Sequence, residues 1–239
     1  MNLPGPDDYI DIHTHDGAAT DPGIFSVISL MAHEGKQPVN IKSVAYTYGI
    51  HPWFLTESTH DRQIEEVIEA AVNPSVIAIG EAGFDRIKGP AADLQSRTFE
   101  EQVRIAEEQN KPVVIHCVRA WDELMLAHKR LKPSKPWMVH GFRGNRKLAA
   151  QLISKNMFLS FWFDFIIRPE AAELIKSLPA ERIFLETDGS GVDIRDIYAK
   201  VSADLDITVD KLKRVINRNF NEFFNIKSIN HGVTRGFTE

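Results

Sequence analysis

The sequence predicts an α/β fold, a TIM-type (β/α)8 barrel with a shortened first βα unit. Three observations carry this. Eight short apolar runs recur along the chain, rich in Val, Ile and Phe, as fits strands buried on both faces of a parallel sheet. Segments of helical spacing separate the later runs. Six of the runs end in His or a carboxylate, and a parallel barrel gathers all strand C-termini on one face. An open doubly wound sheet is the competing architecture, weakened because the glycine-rich first turn of a dinucleotide fold is missing.

In order, the runs are residues 9–13, 25–30, 43–50, 76–80, 112–117, 137–141, 157–161 and 182–186. Only a short segment separates the first two, and Asp21-Pro22-Gly23 within it reads as a turn, so no full helix is expected there. Ile64, Val67, Ile68 and Ala71 repeat at three and four before the fourth run, and Phe99, Val103 and Ala106 do so before the fifth. Trp121, Leu124, Met125 and His128 follow the fifth run; Leu148, Leu152 and Ile153 the sixth; Leu174, Ile175 and Leu178 the seventh. A last helix carries Leu212, Val215, Ile216, Phe220 and Phe223. Charge and apolar content stay mixed throughout, with no repeat or linker, so residues 1–239 read as a single domain.

Apolar residues make up 43% of the 239 and charged residues 26%, which excludes a disordered chain. One cysteine excludes a disulfide scaffold and fits a reducing, cytoplasmic setting. No apolar stretch is long enough to span a membrane, the first ten residues do not resemble a secretory signal, and no obligate protein partner is evident. The net charge of −5 argues against nucleic acid attraction over the whole surface and leaves a local site open.

The polar run ends are the informative feature. They read Asp11-Ile-His13-Thr-His15, Gly49-Ile-His51-Pro-Trp53, Gly80-Glu81-Ala-Gly83-Phe-Asp85, His116-Cys117, His140-Gly141 and Glu186-Thr187-Asp188. Residues i and i+2 of a strand share a side, so His13 and His15 can both reach one ion. Imidazole with carboxylate is a ligand set for zinc, manganese or magnesium-like divalent cations. His13, His15, Glu81, His116, His140 and Asp188 are the candidate metal ligands, with Glu81 able to bridge two ions through its two oxygens.

These motifs in this order resemble the TatD-type deoxyribonuclease family of metal-dependent hydrolases, within the amidohydrolase superfamily. The resemblance runs from Tyr9 to the Asn-x-x-x-Phe-Phe stretch ending at Phe224. It implies a TIM barrel and the same six ligands, with His51 beside the site and not counted among them. Three departures mark a divergent branch: Cys117-Val118-Arg119 where the family usually has Ser-Arg after the histidine, Gly141-Phe142-Arg143-Gly144 where it usually has Cys-Phe-Ser-Gly, and Gly189-Ser190-Gly191 where it commonly has Ala-Pro-Tyr.

Two divalent ions in such a site activate a water for attack on phosphorus or a carbonyl carbon. Asp188 is the expected general base, Glu81 fixes the spacing of the ions, and Asp11 orients His13 or His15 from behind. Arg86, Lys88, Arg119, Arg143, Arg146 and Lys147 follow the fourth to sixth runs and would form a cationic arc. Arg119 and Arg143 are expected to hold phosphate, His51 to line the site and Trp53 to stack a base, whereas Trp162 is expected to pack in the wall. Cys117 should face away from His116 as an inert thiol, and His33, His60, His128 and His231 are expected to be ordinary packing or surface residues. The leading expectation is a divalent-metal-dependent phosphodiesterase acting on DNA or another phosphodiester. An amidohydrolase or carboxylic esterase on the same centre is the alternative, and a non-catalytic barrel is disfavoured because no ligand is missing.

Overall fold

The eight apolar runs form eight parallel strands in the order β1 to β8, in a computed structural model that describes residues 3–15 and 21–226. The strands are β1 (Tyr9–Thr14), β2 (Ile24–Met31), β3 (Val44–Gly49), β4 (Val76–Asp85), β5 (Val113–Val118), β6 (Trp137–Val139), β7 (Met157–Phe161) and β8 (Ile183–Leu185). The helices are α1 (His60–Ala71), α2 (Ala92–Glu108), α3 (Trp121–Leu131), α4 (Arg146–Ile153), α5 (Phe163–Ile166), α6 (Pro169–Lys176), α7 (Ile194–Asp204) and α8 (Val209–Phe223). The sequence pattern anticipated all of them except α5 and α7.

The barrel is distorted on one side. The short β1–β2 link was expected. The β2–β3 link is without an α-helix and carries only a single 3-10 turn, Ala32–Glu34. The wall there is covered from the C-terminal helices instead. Tyr198 of α7 reaches β1, its hydroxyl donating to the Ile10 carbonyl and accepting the Ile10 N–H. Phe220 of α8 packs edge-on against Phe25 of β2, with ring centres 5.4 Å apart. Asn219 of α8 donates to the carbonyls of Ala180 and Ile183, securing the start of β8. Burying each large apolar side chain of the α8 stripe contributes about 1.5–3 kcal/mol.

Two irregularities aim the mouth. β1 advances from Asp11 to Thr14 while β2 advances from Ser26 to Ile28, which places a bulge at His13. β4 advances from Ile79 to Ala82 while β5 advances from Val113 to Ile115, which places another at Glu81. The strand continues through Asp85, beyond the predicted end at Gly80. Glycine is required on this strand. A Cβ on Gly80 (φ +138°) would lie 2.3 Å from the Val114 carbonyl oxygen, and one on Gly83 (φ +151°) 2.0 Å from that of His116. β8 meets β1 through the Asp188 N–H donating to the His13 carbonyl at 3.1 Å. Asp11 strengthens this seam, accepting from the Thr187 N–H at 3.0 Å and the Thr187 hydroxyl at 2.6 Å.

Candidate metal centre

Five imidazoles converge on one buried carboxylate at the C-terminal mouth. Glu81 is 1% exposed. Its Oε1 lies 2.7 Å from His140 Nε2, 3.0 Å from His116 Nδ1 and 3.1 Å from His51 Nε2. Its Oε2 lies 3.4 Å from His13 Nε2 and 3.5 Å from His15 Nε2. Asp188 closes the arrangement, with Oδ1 3.4 Å from His15 Nε2 and 3.7 Å from His13 Nε2. All six residues expected as ligands are thus brought together from β1, β4, β5, β6 and the end of β8, although the β1 bulge interrupts simple strand alternation at the His13/His15 pair.

The donor set fits divalent cations. His13 with His15 and Glu81, and His13 with His140 and Asp188, each place ligand atoms within 4.8 Å of one another. Ligands about 2.0–2.2 Å from a zinc-like ion stand roughly 3–3.5 Å apart, and the imidazole–carboxylate separations of His13 and His15 from Glu81 and Asp188 are 3.4–3.7 Å. Both ring nitrogens of His13, Glu81 Oε2 and His140 Nδ1 are buried with no hydrogen-bond partner, which is costly for groups without another use. His51, Glu81 and His116 form a third such group, but there the hydrogen bonding decides against ligation by His51. Its Nδ1 accepts the Trp53 N–H at 3.0 Å, so the neutral ring carries its proton on Nε2 and donates towards Glu81.

Electrostatics reflect the crowding. Burial alone would raise Glu81, but the surrounding imidazoles, His140 foremost, hold it well below the usual carboxylate range. Burial opposes charge on His140, yet Glu81 and Glu186 push it well above the ordinary imidazole value. His15 is raised against burial by Asp188, and Asp188 is lowered against burial by His15, His140 and His13. Burial lowers His51. Imidazolium protons thus supply positive charge where cations would, and cation binding would displace them.

Several supporting residues were not singled out by the sequence pattern. Asp85 accepts His116 Nε2 at 3.2 Å, leaving Nδ1 free towards Glu81. It also accepts the Trp53 indole N–H at 2.6 Å and the N–H groups of Ile87 and Lys88. Burial works against its charge, but these donors hold it at about 2. Glu186 stands 3.7 Å from His140 Nδ1, fixed by the Gly141 N–H and the Ser160 hydroxyl. Two buried glutamines of α2 brace strand ends: Gln102 pairs with both backbone groups of Ile50, beside His51, and Gln95 with both of Asp85. Asp85 and Glu186 lie inside the motifs that carry the ligands; the glutamines left no signal because their partners are backbone groups distant in sequence. Asp11 differs from expectation. Its carboxylate is committed to Thr187 rather than to an imidazole, so it acts on the Asp188 segment, and burial pushes it up to about 7.

The rim is asymmetric. A cavity of about 620 Å³ opens over His116, His140 and Asp188, walled by Trp53, Arg119, Arg143, Trp162 and Arg168. Arg143 stacks its guanidinium 4.3 Å from the Trp162 ring centre, so Trp162 is half-buried at the mouth and not simply wall packing. Arg86 is taken up by Glu123, whereas Lys88 lies 4.0 Å over the Trp53 ring. Lys147 is exposed on α4 and lines neither the 620 Å³ nor the 420 Å³ mouth cavity. Arg168, between α5 and α6, carries no signal in the sequence because β7, which leads into this segment, supplies no candidate ligand to draw attention to it. On the opposite side a cavity of about 420 Å³ contains His15, His33, His51, Trp53 and Phe54. His33, expected as a packing or surface residue, packs there by stacking on Phe54 at 3.8 Å. His60 sits between Asp61 and Glu101, His128 packs on Trp137, and His231 lies outside the described residues. Burial pushes the Cys117 thiol up to about 12.

Known proteins resemble this chain in sequence and in fold. Residues 31–225 match the family described as TatD-related DNases. A 3'-5' ssDNA/RNA exonuclease TatD from Shigella flexneri is 32% identical over 162 residues, 66% of this chain, and the match spans 62% of that relative's length. The deoxyribonuclease Tat-D of Schizosaccharomyces pombe is 27% identical over 173 residues, 67% of this chain and 55% of the relative. The crystal structure of a TatD homologue from Escherichia coli superposes with a TM-score of 0.74 at 19% identity, covering 93% of this chain and all of that one.

Proposed function

Because the chain belongs to the family of TatD-related DNases, we propose that it is a divalent-metal-dependent phosphodiesterase that cleaves single-stranded nucleic acid at the C-terminal mouth of its barrel. The single observation that carries this reading is Glu81, a buried carboxylate ringed by five imidazoles and faced by Asp188, beside an arginine-lined cavity. Two ions are proposed, one held by His13, His15, Glu81 and Asp188, the other by Glu81, His116 and His140; zinc, manganese and magnesium are the candidate metals. When bound, such ions supply Lewis acidity and lower the pKa of water towards about 7.

The chain's own groups do the rest. Asp188 is placed to accept the proton of the attacking water, since its carboxylate is held ionised and faces the centre. Glu81 fixes the separation of the two cradles. Arg119 and Arg143 are assigned to the non-bridging phosphate oxygens, whose charge grows as the bond breaks. The half-exposed Trp53 offers a face to a base, and its indole N–H is already satisfied by Asp85, so stacking costs no hydrogen bond. His51 donates from Nε2 and keeps Glu81 oriented. Residues 1–239 are taken as one catalytic domain. Among the described residues no helix is long and apolar enough to cross a membrane; the cytoplasm is the proposed place of action, which suits a chain with a single, unpaired cysteine.

The test is purified protein, loaded in turn with manganese, magnesium and zinc and checked for bound metal, incubated with end-labelled single-stranded DNA and RNA. Metal-dependent cleavage is expected. Its absence with the ions bound would overturn the reading. Arg119→Ala and Arg143→Ala should each lower kcat/KM on phosphodiesters by about tenfold or more; an enzyme for neutral amides or esters would be indifferent to them.

A further inference from the structure

Beyond the mouth lies a further cavity of about 470 Å³, between the start of α4 and the α5–α6 segment. It shares Arg143, Gly144 and Arg168 with the cavity over the proposed metal centre, so the two adjoin across these residues. Arg146, in the first turn of α4, belongs to the outer cavity alone. Among the described residues its guanidinium has no ion pair or hydrogen-bond partner, and Asn145 beside it is occupied in capping α4 through the Leu148 N–H.

Charge and shape both point to a nucleotide. Three guanidinium groups reach this space against two carboxylates, Glu170 and Glu173. Glu173 is 84% exposed and pairs with Lys176, which leaves the arginines in excess. The floor is apolar, made by the buried Phe165 and Leu174. Guanidinium groups suit phosphate oxygens, and an apolar floor suits the sugar or base edge attached to them. A small neutral substrate of the centre would have no use for cationic groups at this remove.

We propose that the outer cavity binds the phosphate of a nucleotide beyond the one being cut, so that the substrate is a strand lying from Trp53 across the centre to Arg146. This rests on the phosphodiesterase reading and extends it to substrate length. Arg143 and Arg168 then serve as the hinge between the two phosphate positions, and Arg146 as the anchor of the outer one.

The test compares kcat/KM of the metal-loaded protein for a dinucleotide and for a single strand of about a dozen nucleotides, across a series of potassium chloride concentrations. The wild type should prefer the longer strand. Arg146→Ala should lower that preference about fivefold and make the salt dependence on the long strand shallower by about 0.7 in log–log slope, the share of one phosphate contact on a single strand. Arg146→Lys should restore most of both, because the charge is kept. Dinucleotide turnover reports that the fold is intact. An unchanged length preference and salt slope in Arg146→Ala would overturn the proposal while leaving the nuclease reading standing. Failure of the metal-loaded wild type to cleave either substrate would overturn both.

Discussion

Replacing Asp85 with Asn keeps the volume and removes the charge. Asp85 takes four donors on two oxygens: Oδ1 accepts Ile87 and Lys88 N–H groups at 2.6 and 2.8 Å, and Oδ2 accepts the Trp53 indole at 2.6 Å and His116 at 3.2 Å. An amide has one acceptor oxygen, so one pair of donors must face its NH2 group. If that pair is Trp53 and His116, His116 turns acceptor at Nε2, carries its proton on Nδ1 and loses the lone pair that points to Glu81. If it is the backbone pair, the turn after β4 loses both bonds. The carboxylate is held at about 2 against an ordinary 3.8, so its ionised form contributes about 2 kcal/mol of stability. That contribution is complete above 3.8 and disappears as pH falls towards 2. Asp85→Asn should therefore cost on the order of 2 kcal/mol in urea unfolding at pH 7, shrinking at acid pH, and weaken metal affinity about 10–100-fold by calorimetric titration. An Asn variant that binds metal as tightly as the wild type would refute the claim that Asp85 sets the tautomer of His116.

Gly83→Ala should lose at least about 3 kcal/mol, read as a fall in the urea midpoint, because the added Cβ meets a carbonyl oxygen of β5 and not a movable side chain; an unchanged midpoint would contradict the close approach of β4 to β5. Thr187→Val removes the hydroxyl that donates to Asp11 and should cost about 1–3 kcal/mol. Asp11 is raised to about 7 by burial, so the folded state already loses stability as pH climbs from about 4 to 7, and the Val variant should lose more at pH 8 than at pH 6. Equal loss at both would mean that the hydroxyl does not stabilise the charged form. Cys117, with its thiol at about 12, should have roughly one molecule in ten thousand ionised at pH 8 and react with a disulfide reagent far more slowly in the folded protein than in urea.

Much of this protein was readable from residue order. The eight runs became eight strands because apolar β-branched residues in short stretches have one stable use, burial in a sheet covered on both faces. The side chains gathered around Glu81 were legible because His13, His116 and His140 each close such a run, and in a parallel barrel the end of a strand is an address. α7 was less visible: its buried residues, Ile194, Ile197, Tyr198 and Val201, are interleaved with charge over a stretch of only eleven residues. Asp11 was visible and misdirected, since its neighbour in sequence is His13 while its neighbour in space is Thr187, 176 positions away.

The sequence by itself therefore determined the class of fold and which side chains gather at the C-terminal mouth, through local periodicity, strand polarity and the order of its motifs. Only the tertiary structure decided which oxygen of Glu81 faces which imidazole, that His51 Nδ1 accepts the Trp53 N–H, that Asp85 and Glu186 stand behind His116 and His140, and that Arg168 and Arg146 extend the arginine wall beyond the mouth. Those are matters of ångströms between residues far apart in the chain. They depend on two strand bulges and on backbone approaches that glycine permits, and no pattern along the sequence encodes such distances.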